Sequence, residues 1–291
     1  MKFLPMLLLA LASLLPPAHA AVDLAALWDF NRPELSEQRF RQALEKAGGD
    51  DALVLQTQIA RSYGLRKDFA AAQRQLAAIE AAVKTAGPEA RVRWALESGR
   101  SWASATHAPD SLTAEAKQKA RAFFTQALEL AREARLDALA IDAVHMFAFV
   151  DTTPQQQLEW AQQALAISLA SSQPAAQRWE ASIRNNLGMA LHGLGRYPEA
   201  LAQFELMLAL REKGGNAASV RVAKWLVAWT LRALRRGPEA LQMQLQLERE
   251  AEAAGAPDPY VFEELALLYR EQGDAAKAAH YERLHAQATR R

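Results

Sequence analysis

Cysteine is absent from the 291 residues, which excludes a disulfide scaffold, a thiol nucleophile, Cys-ligated zinc and a lipoprotein acylation site. Charge of one sign is missing too. With 34 Lys+Arg against 33 Asp+Glu the formal net charge is +1, not the basic excess of a nucleic-acid binder. β-Branched apolar residues are scarce, 15 Val plus Ile against 63 Ala. Alanine is the best helix former and β-branched residues favour strands, so the composition points to an all-α chain. A hydrophobic set of 51% with so little net charge also excludes a disordered chain.

The first twenty residues read as an address. Met1 and Lys2 give a short positive start, Phe3 to Leu15 is apolar, Pro16-Pro17 break the run, and Ala18-His19-Ala20 supplies small residues at the −3 and −1 positions of a cleavage site. That order is a secretory signal peptide, cleaved after Ala20; the alternative is an uncleaved anchor. The apolar run is too short for a bilayer core that needs about 20 residues. Removing 1–20 takes away Lys2 and no acid, leaving 33 basic and 33 acidic groups. No later segment has 18 consecutive apolar residues, so no stable membrane insertion is expected after cleavage.

Beyond Ala20 the chain runs in helix-length apolar/polar blocks split by Pro, Gly or Asp. The clearest is 181–214, with Leu187-Gly188, Leu191, Gly195-Arg196-Tyr197, Ala200, Phe204 and Met207. This block resembles the tetratricopeptide repeat, a 34-residue helix-turn-helix with small residues at positions 8 and 20 and large ones at 4, 11 and 24. It departs from that pattern at Arg184, Leu191 and Met207 and lacks the late proline. Weaker copies are in register near 53–86, 92–135, 138–172, 221–254 and 259–291, and 33–47 reads as a lone second helix. The second full copy carries an insertion of some nine residues around Ala108-Pro109-Asp110, and the third puts His145 in the normally small position 8. Asp68 and Asp274 precede second helices, Pro154, Pro198 and Pro238 sit near helix starts, and Gly87, Gly195 and Gly255 are placed at ends.

The resemblance implies an all-α, right-handed α-solenoid of stacked helix-turn-helix repeats, about thirteen helices forming a single domain over 21–291. No hairpin buries its apolar face alone, so the copies must stack. The rival is a non-repeating helical bundle.

Enzyme signatures are missing: there is no G-x-S-x-G, Walker loop, H-E-x-x-H or G-x-G-x-x-G after a strand. No two histidines stand at i,i+3 or i,i+4, so neither a metal nor another cofactor is expected. Glu263-Glu264 diverge by about 100° on a helix and cannot flank one bond. His145 reads as a satisfied interior histidine; with Asp142 or Asp151 it is also the one catalytic pairing worth inspecting.

Binding is the better expectation. In the family the first helices line a groove, which implies a partner-binding set of Arg61, Arg93, Arg100, Asp142, Asn185, Asn186, His192, Trp225, Trp229 and Arg232, with Thr57, Met146, Phe149, Met189, Glu263 and Arg270 beside them. Arg forks accept carboxylates bidentately and Trp supplies anchoring area, so the expected partner is a protein or peptide segment with acidic and apolar features. Two alternatives stand beside this set: pairing of the arginines with neighbouring acids, and inter-repeat packing of Trp225 and Trp229. The carboxylate clamp of some relatives is not expected, because Val222 and Leu226 stand where it needs Lys and Arg, although Asn186 fits. The expected function is non-catalytic protein–protein interaction in the periplasm, as adaptor or assembly factor. The alternatives are an enzyme using the groove as its cleft and a self-assembling structural protein.

Overall fold

The computed structural model of the protein describes residues 22–290, so the signal peptide read at 1–20 lies outside the described residues. In chain order the helices are α1 (Leu24–Leu27), α2 (Pro33–Leu44), α3 (Gly49–Leu65), α4 (Phe69–Val83) and α5 (Pro88–Arg100). Next come α6 (Ala114–Glu133), α7 (Asp137–Met146), α8 (Pro154–Ala170), α9 (Pro174–Gln177) and α10 (Glu180–Gly193). The last five are α11 (Tyr197–Gly214), α12 (Ala217–Ala233), α13 (Gly237–Ala253), α14 (Pro259–Glu271) and α15 (Ala275–Ala288). Thirteen span ten residues or more, α1 and α9 are single turns, and the described residues contain no strand.

Local chemistry sets the boundaries. Asp68 accepts from the Ala71 N–H at 2.9 Å and Asp274 from the Lys277 N–H at 3.1 Å, satisfying donors the helix cannot. Gly195 and Gly255 adopt φ of 72° and 64°, the left-handed region that ends a helix. Gly87 differs from expectation: it precedes α5 in extended conformation, and its N–H donates to Asp50 Oδ2 at 2.8 Å.

The helices pair as α3/α4, α5/α6, α7/α8, α10/α11, α12/α13 and α14/α15, after the lone α2. Each first helix also packs on the second helix of the preceding pair, α10 on α8 and α12 on α11 for example. Close approach within a pair depends on a small residue facing an aromatic ring. Gly99 faces Phe124 and Gly188 faces Phe204, both rings being fully buried. In the third pair Ala140 and Ala143 are buried, whereas His145 is only partly so. Here α7 stops at Met146 and continues as a 3-10 turn, Phe147–Phe149, with Phe147 stacked on Trp160 at 4.0 Å. His145 meets Asn186 and Trp179 and lines a cavity between α7, α8 and α10.

Candidate functional site

The face shared by α3, α5 and α7 carries a largely buried cluster of charges. Arg100, on the last turn of α5, donates to Glu97 Oε1 at 2.5 Å, to the Asp142 carboxylate of α7 and to Met146 Sδ at 3.2 Å. Each of its three nitrogens thus has an acceptor, and although burial works against the charge, Asp142 and Glu97 raise its pKa. Asp142 shows the complementary result: burial pushes its carboxyl up, but Arg100 and then Arg61 outweigh it and hold it below the usual range. Arg61, from α3, reaches Glu97 only at 3.5 Å, and its guanidinium lies 5.7 Å from the Trp28 ring and 5.6 Å from Phe30. Burial and the nearby Arg100 lower its pKa. These side chains wall a cavity of about 250 Å³ shared with Ser104, Thr106, His145 and Trp179.

Further along, α10, α12 and α14 present an aromatic strip. His192 stacks on Trp229 with centroids 3.4 Å apart, Trp229 stacks on Trp225 at 5.7 Å, and Tyr260 meets Trp225 edge-on at 6.1 Å. Asn185, Met189, Val222, Trp225 and Tyr260 line an open cavity of about 360 Å³. Val222 is 59% exposed and Tyr260 63%.

A family model described as tetratricopeptide repeat matches residues 181–213. The fold is a tetratricopeptide-like solenoid. Among solved structures it is similar to a signal-transduction ATPase with numerous domains and a tetratricopeptide repeat sensor from Pyrococcus horikoshii. That TM-score is 0.68 at 14% identity, over 88% of this chain and 39% of the other. This chain therefore spans about two fifths of that protein. It is also similar to the apo form of RapI, with TM-score 0.57 at 14% identity over 92% of this chain and 87% of that one. A kinesin light chain protein from Podospora anserina with nearly identical tetratricopeptide-like repeats gives 0.50 at 19% identity, over 68% and 94%. No curated protein matches the chain.

Within the tetratricopeptide-like groove the expected residues divide sharply. The arginines pair with acids of the chain itself: Arg93 with Glu89 at 2.8 Å, Arg100 as described, and Arg232 in a two-pronged contact with Glu264 at 2.8 and 2.8 Å. Arg232 also lies 3.4 Å from Glu271, so its fork is closed to a partner. Arg61 and Arg93 each keep most of their fork unengaged among the described residues, with one contact apiece. Asn185 donates to Asn186 at 3.3 Å, and Asn186 bonds His145 Nδ1 at 3.1 Å. Trp225 and Trp229 are half-buried, packing against the inter-repeat core while Trp225 also lines the open cavity. Thr57 is fully buried and donates to the Val54 carbonyl at 2.6 Å, so it does not line the groove. Arg270 is drawn to Glu282 of α15, within its own hairpin.

The His145 pairings considered for catalysis do not form hydrogen bonds. His145 Nδ1 is taken by Asn186, Asp142 by Arg100, and Asp151 by Arg121, Trp160 and Gln156. Among the described residues no group of three or more His, Asp or Glu gathers as a metal site. Missed by sequence reasoning were Trp28 and Phe30, which precede the first repeat, and Trp179, which sits between two repeats.

His192 has a readable consequence for stability. Burial, with Arg232 adding to it, lowers its pKa from 6.5 to about 4. The unfolded chain therefore takes up a proton that the folded chain refuses, so stability is lost as pH falls from 6.5 through about 4. Urea midpoints measured across that window should decline, and His192→Gln should flatten the decline; an unchanged slope would show that His192 contributes nothing.

Proposed function

We propose that this solenoid binds a segment of a partner protein along the face of its first helices, as an adaptor or assembly factor, after export from the cytoplasm. The supporting observation is the strip of Met189, Val222, Trp225 and Tyr260: four large side chains on three successive first helices around an open cavity. Apolar patches of this kind are costly to leave in water and mark binding surfaces. Because Arg93, Arg100 and Arg232 already hold acids of the chain, apolar side chains of the partner weigh more in this reading than acidic ones.

Trp225→Ala/Tyr260→Ala should cut capture of partner from a periplasmic extract by about tenfold or more, as loss of aromatic anchors does. Equal capture by a folded double variant would reject the reading. Export rests on the order of charge, apolar run and Ala18-His19-Ala20, and N-terminal sequencing of exported protein should begin at Ala21. A start at Met1 would overturn the cleavage.

A further inference from the structure

Two cavities of this solenoid lie where the chain departs from its own repeat. The connection from α5 to α6 folds back over the α3/α4 turn, with Thr106 Oγ1 donating to the Gly64 carbonyl at 3.0 Å and His107 stacked on Phe69 at 3.7 Å. It thereby walls the cavity that holds Arg61, Glu97 and Asp142. The connection from α8 to α10 brings Trp179 over a second cavity of about 200 Å³, between α7, α8 and α10. His145 and Trp179 line both spaces and form the partition between them.

The first cavity carries charged groups in its wall, and these are incompletely satisfied. Arg61 has one long contact, and the rest of its donors have no acceptor among the described residues. Asp142 accepts from Arg100 through Oδ1, leaving Oδ2 for another donor. Glu97 is 3% exposed, and its Oε2 is buried without a partner. A buried carboxylate oxygen left unmatched is expensive, which favours a donor arriving from outside. Two guanidinium groups and two carboxylates sum to zero, so an added cation or anion would leave a charge uncompensated, whereas a zwitterion would not. The second cavity is mostly apolar, walled by Ile141, Val144 and Trp160. A dry apolar cavity of about 150 Å³ already accepts a benzene ring, so this one has room for a large side chain.

We propose that the paired cavities bind a free α-amino acid with a bulky apolar side chain. Its carboxylate sits on the Arg61 fork, which Trp28 and Phe30 hold in place. Its ammonium sits at Asp142 Oδ2, with Glu97 supplying the second negative charge, and its side chain passes His145 into the apolar space. This site goes beyond the partner-binding strip, which shares Met189 with it but centres on α12 and α14.

Titration calorimetry of the full chain with L-phenylalanine and L-leucine should give saturable binding. Glycine, N-acetyl-L-phenylalanine and L-phenylalanine amide should each bind about tenfold or more weakly, having lost the side chain, the ammonium or the carboxylate. Arg61→Gln should weaken L-phenylalanine by a similar factor. Ala148→Phe, in the lining of the apolar cavity, should reduce L-phenylalanine to the level of glycine, and it keeps the test decisive if the Arg61 variant fails to fold. Absence of saturable binding by either amino acid overturns the proposal. So does binding of the acetylated or amidated form as tightly as the free one, which would point to a peptide terminus instead. Partner capture through Trp225 and Tyr260 can succeed or fail independently of all these outcomes.

Discussion

Gly188→Ala is expected to destabilise the protein by about 1–3 kcal/mol, although the same change in an ordinary helix gains roughly 1 kcal/mol. A Cβ on Gly188 would lie 2.5 Å from Phe204 Cε1 and 2.7 Å from Cδ1. The ring cannot give way, because Phe204 is fully buried at the centre of the cluster formed with Leu187, Ala200 and Ala223. Gly99 stands in the same relation to Phe124, at 2.3 Å, and Gly99→Ala should behave alike. Chemical denaturation of each variant measures the loss. Adding Phe204→Leu to Gly188→Ala should recover part of it, a non-additivity expected only of residues in contact. A neutral or stabilising Gly188→Ala would mean that α10 and α11 are not held together by this close approach.

Arg100→Ala should cost more, about 3–5 kcal/mol, the usual consequence of removing one member of a buried ion pair. The loss arises less from the missing contact than from what remains: Glu97 at 3% and Asp142 at 9% exposure, two carboxylates left without their shared cation. The pH dependence identifies the cause. In the wild type Asp142 is held below its ordinary value, so its contribution to stability is present above the unfolded pKa of 3.8 and is lost as pH falls through the folded value. In the variant the Asp142 carboxyl loses its main cation while burial still favours its protonated form, so acidification should narrow the gap between variant and wild type. A gap that is constant from neutral pH down to about pH 5 would assign the loss to packing rather than charge.

Much of the fold was legible in the sequence because the repeat carries its own geometry. Leu187-Gly188 with Phe204, and Asp68 or Asp274 ahead of a second helix, state which faces meet and where a helix begins. The third copy is degenerate: its position 8 is His145, which bonds Asn186 of α10, and its α-helix stops one residue later, at Met146. Site residues were legible by location but not by availability. Arg61, Arg100 and Arg232 look equivalent in the repeat pattern, yet Arg100 and Arg232 are closed by acids from a neighbouring repeat, Asp142 and Glu264. Such pairings cross copies whose spacing varies, so no fixed interval announces them. Trp28 and Phe30 lie outside any repeat, and periodicity has nothing to say about a segment that folds onto the groove from before it.

The charge cluster also bears on the order in which the solenoid assembles. Nearest-neighbour stacking would let the α3/α4 and α5/α6 hairpins settle as soon as they meet. Glu97 can hold only part of the positive charge that Arg61 and Arg100 bring to that junction, and the balancing Asp142 belongs to α7. Until the third hairpin arrives, the first two enclose an excess of cation, and their pairing is incomplete in electrostatic terms even where its apolar contacts are made. Three consecutive repeats are thus joined into one cooperative block, a longer unit than their interlocking side chains alone would define.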